Sequence, residues 1–181
     1  QRIDVSLHVL GSEAKALTTW FPARLHIGAA EVGARIVPLE GPLAPGTTGL
    51  AQIVLDAPVA VAMGDRFILR DVSARRTIGG GSLIDLRAPA RYRARPERLA
   101  VLRAMVLADP VAALAALADL ALVDLQGFGR DRALSDAQLS DAVTRSAVAV
   151  IEGSGHALAP ARLDALREAM LGELTAFHDE N

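Results

Sequence analysis

The sequence predicts a multidomain β + α chain: a small closed barrel or sandwich, then a mostly helical domain. Three observations point there. Up to residue 88, short apolar stretches recur between Gly- and Pro-rich breaks. From Arg87 to Arg98 the chain carries five arginines and two prolines in twelve residues. Beyond it, apolar residues return at helical spacing behind cap signals. Charge divides the same way, with 13 basic against 9 acidic residues over 1–98, and 6 against 12 over 99–181. The expected boundaries are 1–88 for the β domain, 89–97 for a basic linker and 98–181 for the helical domain. Only the first part suits a polyanionic partner.

Val5, Leu7 and Val9 alternate with Asp4, Ser6 and His8, the pattern of a half-buried strand. Leu25 with Ile27, then Val32 with Ile36, give two more apolar stretches. Pro38–Gly49 is a turn-rich connector, Leu50–Leu55 a further strand, and Pro58–Val61 follows it. Gly64–Asp85 reads as a hairpin. Phe67, Ile68 and Leu69 lie between Arg66 and Arg70, Asp71–Arg75 suits a turn, and Thr77–Ile84 returns through Gly79, Gly80 and Gly81. Glycines inside a strand mark a bulge, a bend or the close approach of another backbone.

Pro96 and Glu97 suit a first helical turn, with Leu99, Leu102, Met105 and Val106 on one face. Asp109-Pro110 opens a second helix as N-cap and N1, and Val111, Leu114, Leu117 and Leu120 follow. Leu122–Leu125 is a short strand or a helix start. Ser135 and Gln138 have the spacing of a capping box. Ala147–Ile151, Gly153-Ser-Gly155 and Ala157-Leu158 form strand, turn and strand. After Pro160, a last helix places Leu163, Leu166, Met170, Leu174 and Phe177 on one face. Three helices followed by a hairpin is the order of a winged-helix domain. The alternative is a small helical bundle with an incidental hairpin.

Composition excludes several function classes. Hydrophobic residues make up 51% and aromatics 3%, so the core is built from Leu, Val, Ile and Ala. No cysteine is present, which rules out disulfides, thiol catalysis and cysteine–zinc sites and fits a cytoplasmic setting. The longest apolar run, Val111–Val123, is too short for a membrane span and contains Asp119. The first residues form neither a signal leader nor a natural start; they look like the middle of a strand, so a longer parent is expected. His8, His26, His156 and His178 form no close ligand set, and no Gly-x-Ser-x-Gly elbow occurs. The expectation is no catalytic residue, no metal ligand and no membrane partner. His26 is expected at a strand position with a satisfied side chain.

The hairpin Gly64-Asp-Arg-Phe-Ile-Leu-Arg-Asp-Val-Ser-Ala-Arg-Arg-Thr-Ile-Gly-Gly-Gly81 resembles the last hairpin of the third domain of elongation factor Tu-type GTPases. Its Arg-Asp-x-Ser-Ala-x-x-Thr form is similar to that of bacterial selenocysteine-specific elongation factors. Leu25-His-Ile-Gly-Ala-Ala-Glu-Val-Gly-Ala-Arg-Ile36 resembles a second segment of that family, with Ala29 in place of the usual Thr. Ala51–Val61 resembles the strand before the last hairpin. Phe128 through His178 resembles the first winged helix of the carboxy-terminal extension. Gly79-Gly-Gly81 is not a phosphate loop, since no Gly-Lys-Ser/Thr follows.

The resemblance implies an elongation-factor-type barrel followed by a winged-helix domain, taken from the middle of such a factor. It implies that the parent binds GTP and magnesium in an upstream domain and delivers selenocysteyl-tRNA to the ribosome to recode UGA. Later winged helices hold the selenoprotein mRNA hairpin. These residues themselves then carry no cofactor and no GTPase activity. By the motifs, tRNA backbone contacts fall at Arg24 and Gly33 and, at the hairpin tip, at Ser73 and Ala74. Arg75 and Arg76 flank the tip, and alternation turns one of them outward without saying which. Tip amides and hydroxyls can donate to phosphates; the competing reading leaves these arginines as solvated surface.

In the linker, Arg91, Tyr92, Arg93 and Arg95 either face RNA or fix a hinge through ion pairs. The helix opened by Ser135 carries Asp136 and Asp141 beside Arg145, which disfavours duplex binding. The competing functions are a winged-helix DNA-binding regulator with a β-barrel effector domain, and a protein-interaction scaffold.

Overall fold

The computed structural model describes residues 1–179; Glu180, Asn181 and the side chains of Ala176, His178 and Asp179 lie outside the described residues. Two compact units are present, Gln1–Val106 and a second beginning at Leu107.

In the first unit, β1 (Arg2–Val9), β2 (Phe21–Ile27), β3 (Ala30–Pro38), β4 (Thr48–Leu55), β5 (Arg66–Arg70) and β6 (Thr77–Asp85) form a closed antiparallel barrel in the order β1-β4-β3-β2-β5-β6. Alternation drives closure: Val5, Leu7 and Val9 point inward with Leu25, Ile36, Ile53, Leu69 and Ile78, all fully or nearly fully buried. Pro58–Val61 is not a strand, but Val59 and Val61 still pack against this core. The three glycines of β6 answer to close backbone approach. A Cβ at Gly81 would stand 1.8 Å from the Ser6 carbonyl oxygen, and one at Gly79 2.3 Å from that of His8. β6 closes the barrel on β1 at these positions.

Helix α1 (Pro96–Val106) belongs to the barrel unit, so the boundary between the units follows Val106 rather than preceding Arg98. The cause is a second apolar cluster: Leu102, fully buried, packs with Leu39, Leu50 and Ile84, and Leu99 and Met105 lie against it. Burying one such leucine stabilises by about 1.5–3 kcal/mol. Leu50 and Gln52 alternate with the core residues Ala51 and Ile53, so they lie on the barrel's outer face. Asp4 shares that face and pairs in register with Gln52 and Asp85. Its alternation with Val5 suggested a solvated side, yet Asp4 is completely buried. Arg98 reaches it from α1, with Nη2 2.5 Å from both Asp4 Oδ2 and Asp85 Oδ2, and Gln52 Nε2 donates to Asp4 Oδ1 at 3.0 Å. Burial pushes the Asp4 carboxyl up against the lowering hydrogen bonds from Arg98 and Gln52. Burial also disfavours the Arg98 charge, but its bonds to Asp4 and Asp85 outweigh that and hold it charged.

The second unit runs α2 (Pro110–Leu120), β7 (Val123–Asp124), α3 (Leu125–Asp131), α4 (Asp136–Ser146), β8 (Ala149–Ile151), β9 (His156–Leu158) and α5 (Pro160–Asp179). Its sheet has the order β7-β9-β8, giving a winged-helix-like arrangement. Leu122–Leu125 serves both expected roles, since β7 runs straight into α3. The Asp109 carboxylate accepts from the Val111 and Ala112 amides, and Ser135 with Gln138 closes a full capping box. Ala113, Leu114, Ala118, Phe128 and Ala142 form the core. The expected apolar face of α5 is largely uncovered: Leu166, Met170 and Leu174 are each about half exposed or more.

Candidate nucleic-acid interface

Strand register assembles the site. Arg24 of β2 stands opposite Gly33 of β3 on one side and opposite Arg70 of β5 on the other. All three alternate with core residues and so face outward. Arg24 Nε donates to the Val72 carbonyl at 3.1 Å, fixing β2 to the hairpin tip, and Arg24 Nη1 pairs with Glu31 at 2.8 Å. A cavity of about 330 Å³ opens here between Pro22, Arg24, Gly33, Arg35, Asp56 and Val72. Arg24, Gly33 and the tip therefore converge, as their spacing along the chain could not show.

Two like charges directly opposite each other destabilise a sheet. Arg24 and Arg70 are such a pair, and Arg70 Nε is buried with no hydrogen-bond partner among the described residues. Arg35, two residues beyond Gly33 on the same face, is exposed and makes no ion pair among the described residues. Sequence reasoning placed Arg70 only as the end of a strand and passed over Arg35. The alternation of β3 carries the signal for Arg35, whereas Arg70 needs the cross-strand register.

Several expected donors are used internally. Asp71 Oδ1 accepts from the Arg75 and Arg76 amides at 2.7 and 3.0 Å, Asp71 Oδ2 accepts from Ser73 Oγ at 2.6 Å, and the Ala74 amide donates to the Asp71 carbonyl at 2.8 Å. The Ser73 hydroxyl, with the Arg76 and Arg75 amides, lowers the Asp71 carboxyl to about 2. Ala74 takes φ +53° within this tight turn. A phosphate at the tip thus meets side-chain cations rather than these amides and this hydroxyl. Both Arg75 and Arg76 are exposed; Arg76 pairs with Glu13, and Arg75 makes no ion pair among the described residues.

Gly33 has a packing role: a Cβ there would stand 2.2 Å from Asp56 Oδ2, and the Asp56 amide donates to the Gly33 carbonyl. His26 is not satisfied as expected. Its Nδ1 lies 4.0 Å from Glu31, and its Nε2 is buried without a hydrogen-bond partner among the described residues.

The linker residues lie on the barrel unit. Arg93 Nη1 donates to Gln52 Oε1 at 3.2 Å and its guanidinium sits 5.4 Å from the Trp20 ring centroid. The Arg95 guanidinium lies 3.9 Å over the Tyr92 ring, and Arg91 is exposed. The expected linker pairing with acidic groups is made by Arg98; Arg93 and Arg95 meet aromatic rings instead.

Among the described residues no group of three or more His, Asp or Glu is placed to hold a metal ion. No helix among them is long and apolar enough to cross a membrane.

The barrel agrees with the comparison to known proteins. Residues 2–90 match the family model described as "Selenocysteine-specific elongation factor, beta-barrel domain". The class is therefore a translation elongation factor with a β-barrel domain. The selenocysteine-specific elongation factor of Escherichia coli (strain K12) is 35% identical over 120 residues, covering 66% of this chain and 18% of that protein. That of Haemophilus influenzae (strain ATCC 51907 / DSM 11121 / KW20 / Rd) is 30% identical over 89 residues, 49% of this chain and 14% of that protein. Through its barrel, the chain belongs to the selenocysteine-specific elongation factor family. The matched part spans less than a fifth of either relative's length.

Proposed function

We propose that this chain forms the part of a selenocysteine-specific elongation factor that holds selenocysteyl-tRNA on its barrel. The observation that carries the reading is the outward row of Arg24, Arg70 and Arg35 beside the Arg75 tip. Arg24 already has Glu31 beside it, but Arg70 opposite it and Arg35 on the same face make no ion pair among the described residues, and a nucleic-acid backbone supplies phosphates at closely spaced positions. Such contacts position a duplex stem without reading its sequence.

In the whole factor, delivery to the ribosome and UGA recoding draw on GTP and magnesium held by an upstream domain. The helical unit links the barrel to further domains that hold the selenoprotein mRNA hairpin. These residues supply no GTPase chemistry. Family membership supports a cytoplasmic translation role over a DNA-binding regulator. So does α4, where Asp136 stands in the first turn and Arg145 is already paired with Asp141 at 3.0 Å.

The test is a titration of the chain with selenocysteine tRNA at several salt concentrations. Binding falls steeply with salt, and Arg70→Ala or Arg75→Ala each lowers the salt slope by about one. Salt-insensitive binding, or slopes unchanged in both variants, overturns the reading.

A further inference from the structure

The barrel unit carries a second set of RNA-compatible groups besides the arginine row. Trp20 and Tyr92 are the chain's one tryptophan and one tyrosine. Both are solvent-exposed, 47% and 66%, in a chain whose aromatics are few. Both adopt positive φ, +64° and +58°. Bulky side chains avoid that region unless the surroundings enforce it. An arginine from the same short segment lies over each ring, Arg93 over Trp20 and Arg95 over Tyr92.

The segment is pinned before it reaches these rings. Gln52, completely buried, donates to the Pro89 carbonyl at 3.0 Å and accepts from Arg93 at 3.2 Å. A turn closed by the Arg95 amide on the Tyr92 carbonyl at 3.2 Å sets Arg95 above its ring. The core does not need either ring, because neither joins an apolar cluster. Two exposed rings and two guanidinium planes are thus held in place, with Arg91 adding a further exposed cation.

We propose that Trp20, Tyr92, Arg93 and Arg95 form a stacking platform for unpaired bases of an RNA. Every base has a π-face, so successive bases stack on the aromatic rings and guanidinium planes, while the arginine edges donate to the neighbouring phosphates. A duplex hides its base faces and gains nothing here beyond charge. The platform uses none of the residues of the arginine row, which takes duplex backbone. It rests on the proposed function only in that the partner is RNA.

Trp20 is its own reporter. The experiment adds a single-stranded oligoadenylate of about eight nucleotides to the full chain at low salt and follows tryptophan emission. A blunt RNA duplex of equal length serves as the comparison. The single strand quenches Trp20 and the duplex does not. Tyr92→Ala weakens single-strand binding about tenfold, whereas Tyr92→Phe keeps it within about twofold. Tyr92 is exposed, and far-UV circular dichroism checks that the variants fold.

Absence of quenching, equal quenching by the duplex, or unchanged affinity in Tyr92→Ala overturns the platform. Arg70→Ala separates the two readings: it lowers duplex binding and leaves the quenching intact. Loss of all duplex binding with quenching retained defeats the arginine row alone. Duplex binding that responds to Arg70→Ala without quenching defeats the platform alone.

Discussion

The two units solve the same problem, burying an aliphatic core with few aromatics, in different ways: the barrel with Leu, Ile and Val, the helical unit mostly with Ala and Leu. The barrel unit adds a covered outer face, where Asp4, Gln52 and Asp85 lie under Arg98 of α1. The helical unit has a smaller core around Ala113, Leu114, Ala118 and Ala142, and leaves Leu166, Met170 and Leu174 of α5 in solvent. Charge follows architecture. In the barrel unit outward arginines oppose each other across strands, whereas on α4 the exposed Arg145 is neutralised by Asp141 one turn away. The contrast teaches that the barrel sets like-charged side chains opposite each other on one outer face, whereas α4 sets opposite charges one turn apart.

The largest expected effect lies where β6 meets β1. Gly81→Ala drives a Cβ into the Ser6 carbonyl and destabilises the barrel by about 3 kcal/mol or more, read by chemical denaturation. Gly129→Ala in α3 sharpens the comparison: its Cβ meets only the flexible end of Leu139 at 3.0 Å. There the helix propensity gained offsets the crowding, and the change stays within about 1 kcal/mol.

Next comes Arg98→Met, which strands two carboxylates and costs about 3 kcal/mol. Limited proteolysis then cuts within α1, and α2 stays protected. Lowering the pH restores part of the loss, because the Asp4 carboxyl, already pushed up by burial, loses its compensating cation and takes a proton.

Ser135→Ala removes the α4 cap and costs about 1 kcal/mol, confined to the helical unit in hydrogen exchange.

The smallest effect is at the hairpin tip. The Asp71 carboxyl sits at about 2 in the folded chain, against about 3.9 unfolded. Its contribution is therefore complete above about pH 4 and is lost as the pH falls toward 2. Asp71→Asn removes that pH dependence and speeds amide exchange at Arg75 and Arg76 at neutral pH.

Local signals were legible in the sequence. The alternation of β1, the hairpin around Asp71, the Asp109-Pro110 start and the Ser135 box each depend on a few neighbouring residues, and each formed where its pattern placed it. Contacts made across long separations were not legible. Asp4 read as a solvent-facing residue because the arginine that covers it lies 94 residues away. The tip donors looked available because nothing in the pattern says that Asp71 bonds both following amides. Arg70 and Trp20 escaped notice for the same reason: one matters through a strand partner, the other through a guanidinium arriving from residue 93.

Hydrogen exchange on the chain with and without selenocysteine tRNA tests most directly that the barrel's arginine row, not the helical unit, holds the RNA. The account predicts slowed exchange over residues 21–35 and 66–77, which contain Arg24, Arg35, Arg70 and Arg75, and none over residues 135–147. Protection centred on 135–147, with the barrel strands unchanged, contradicts it.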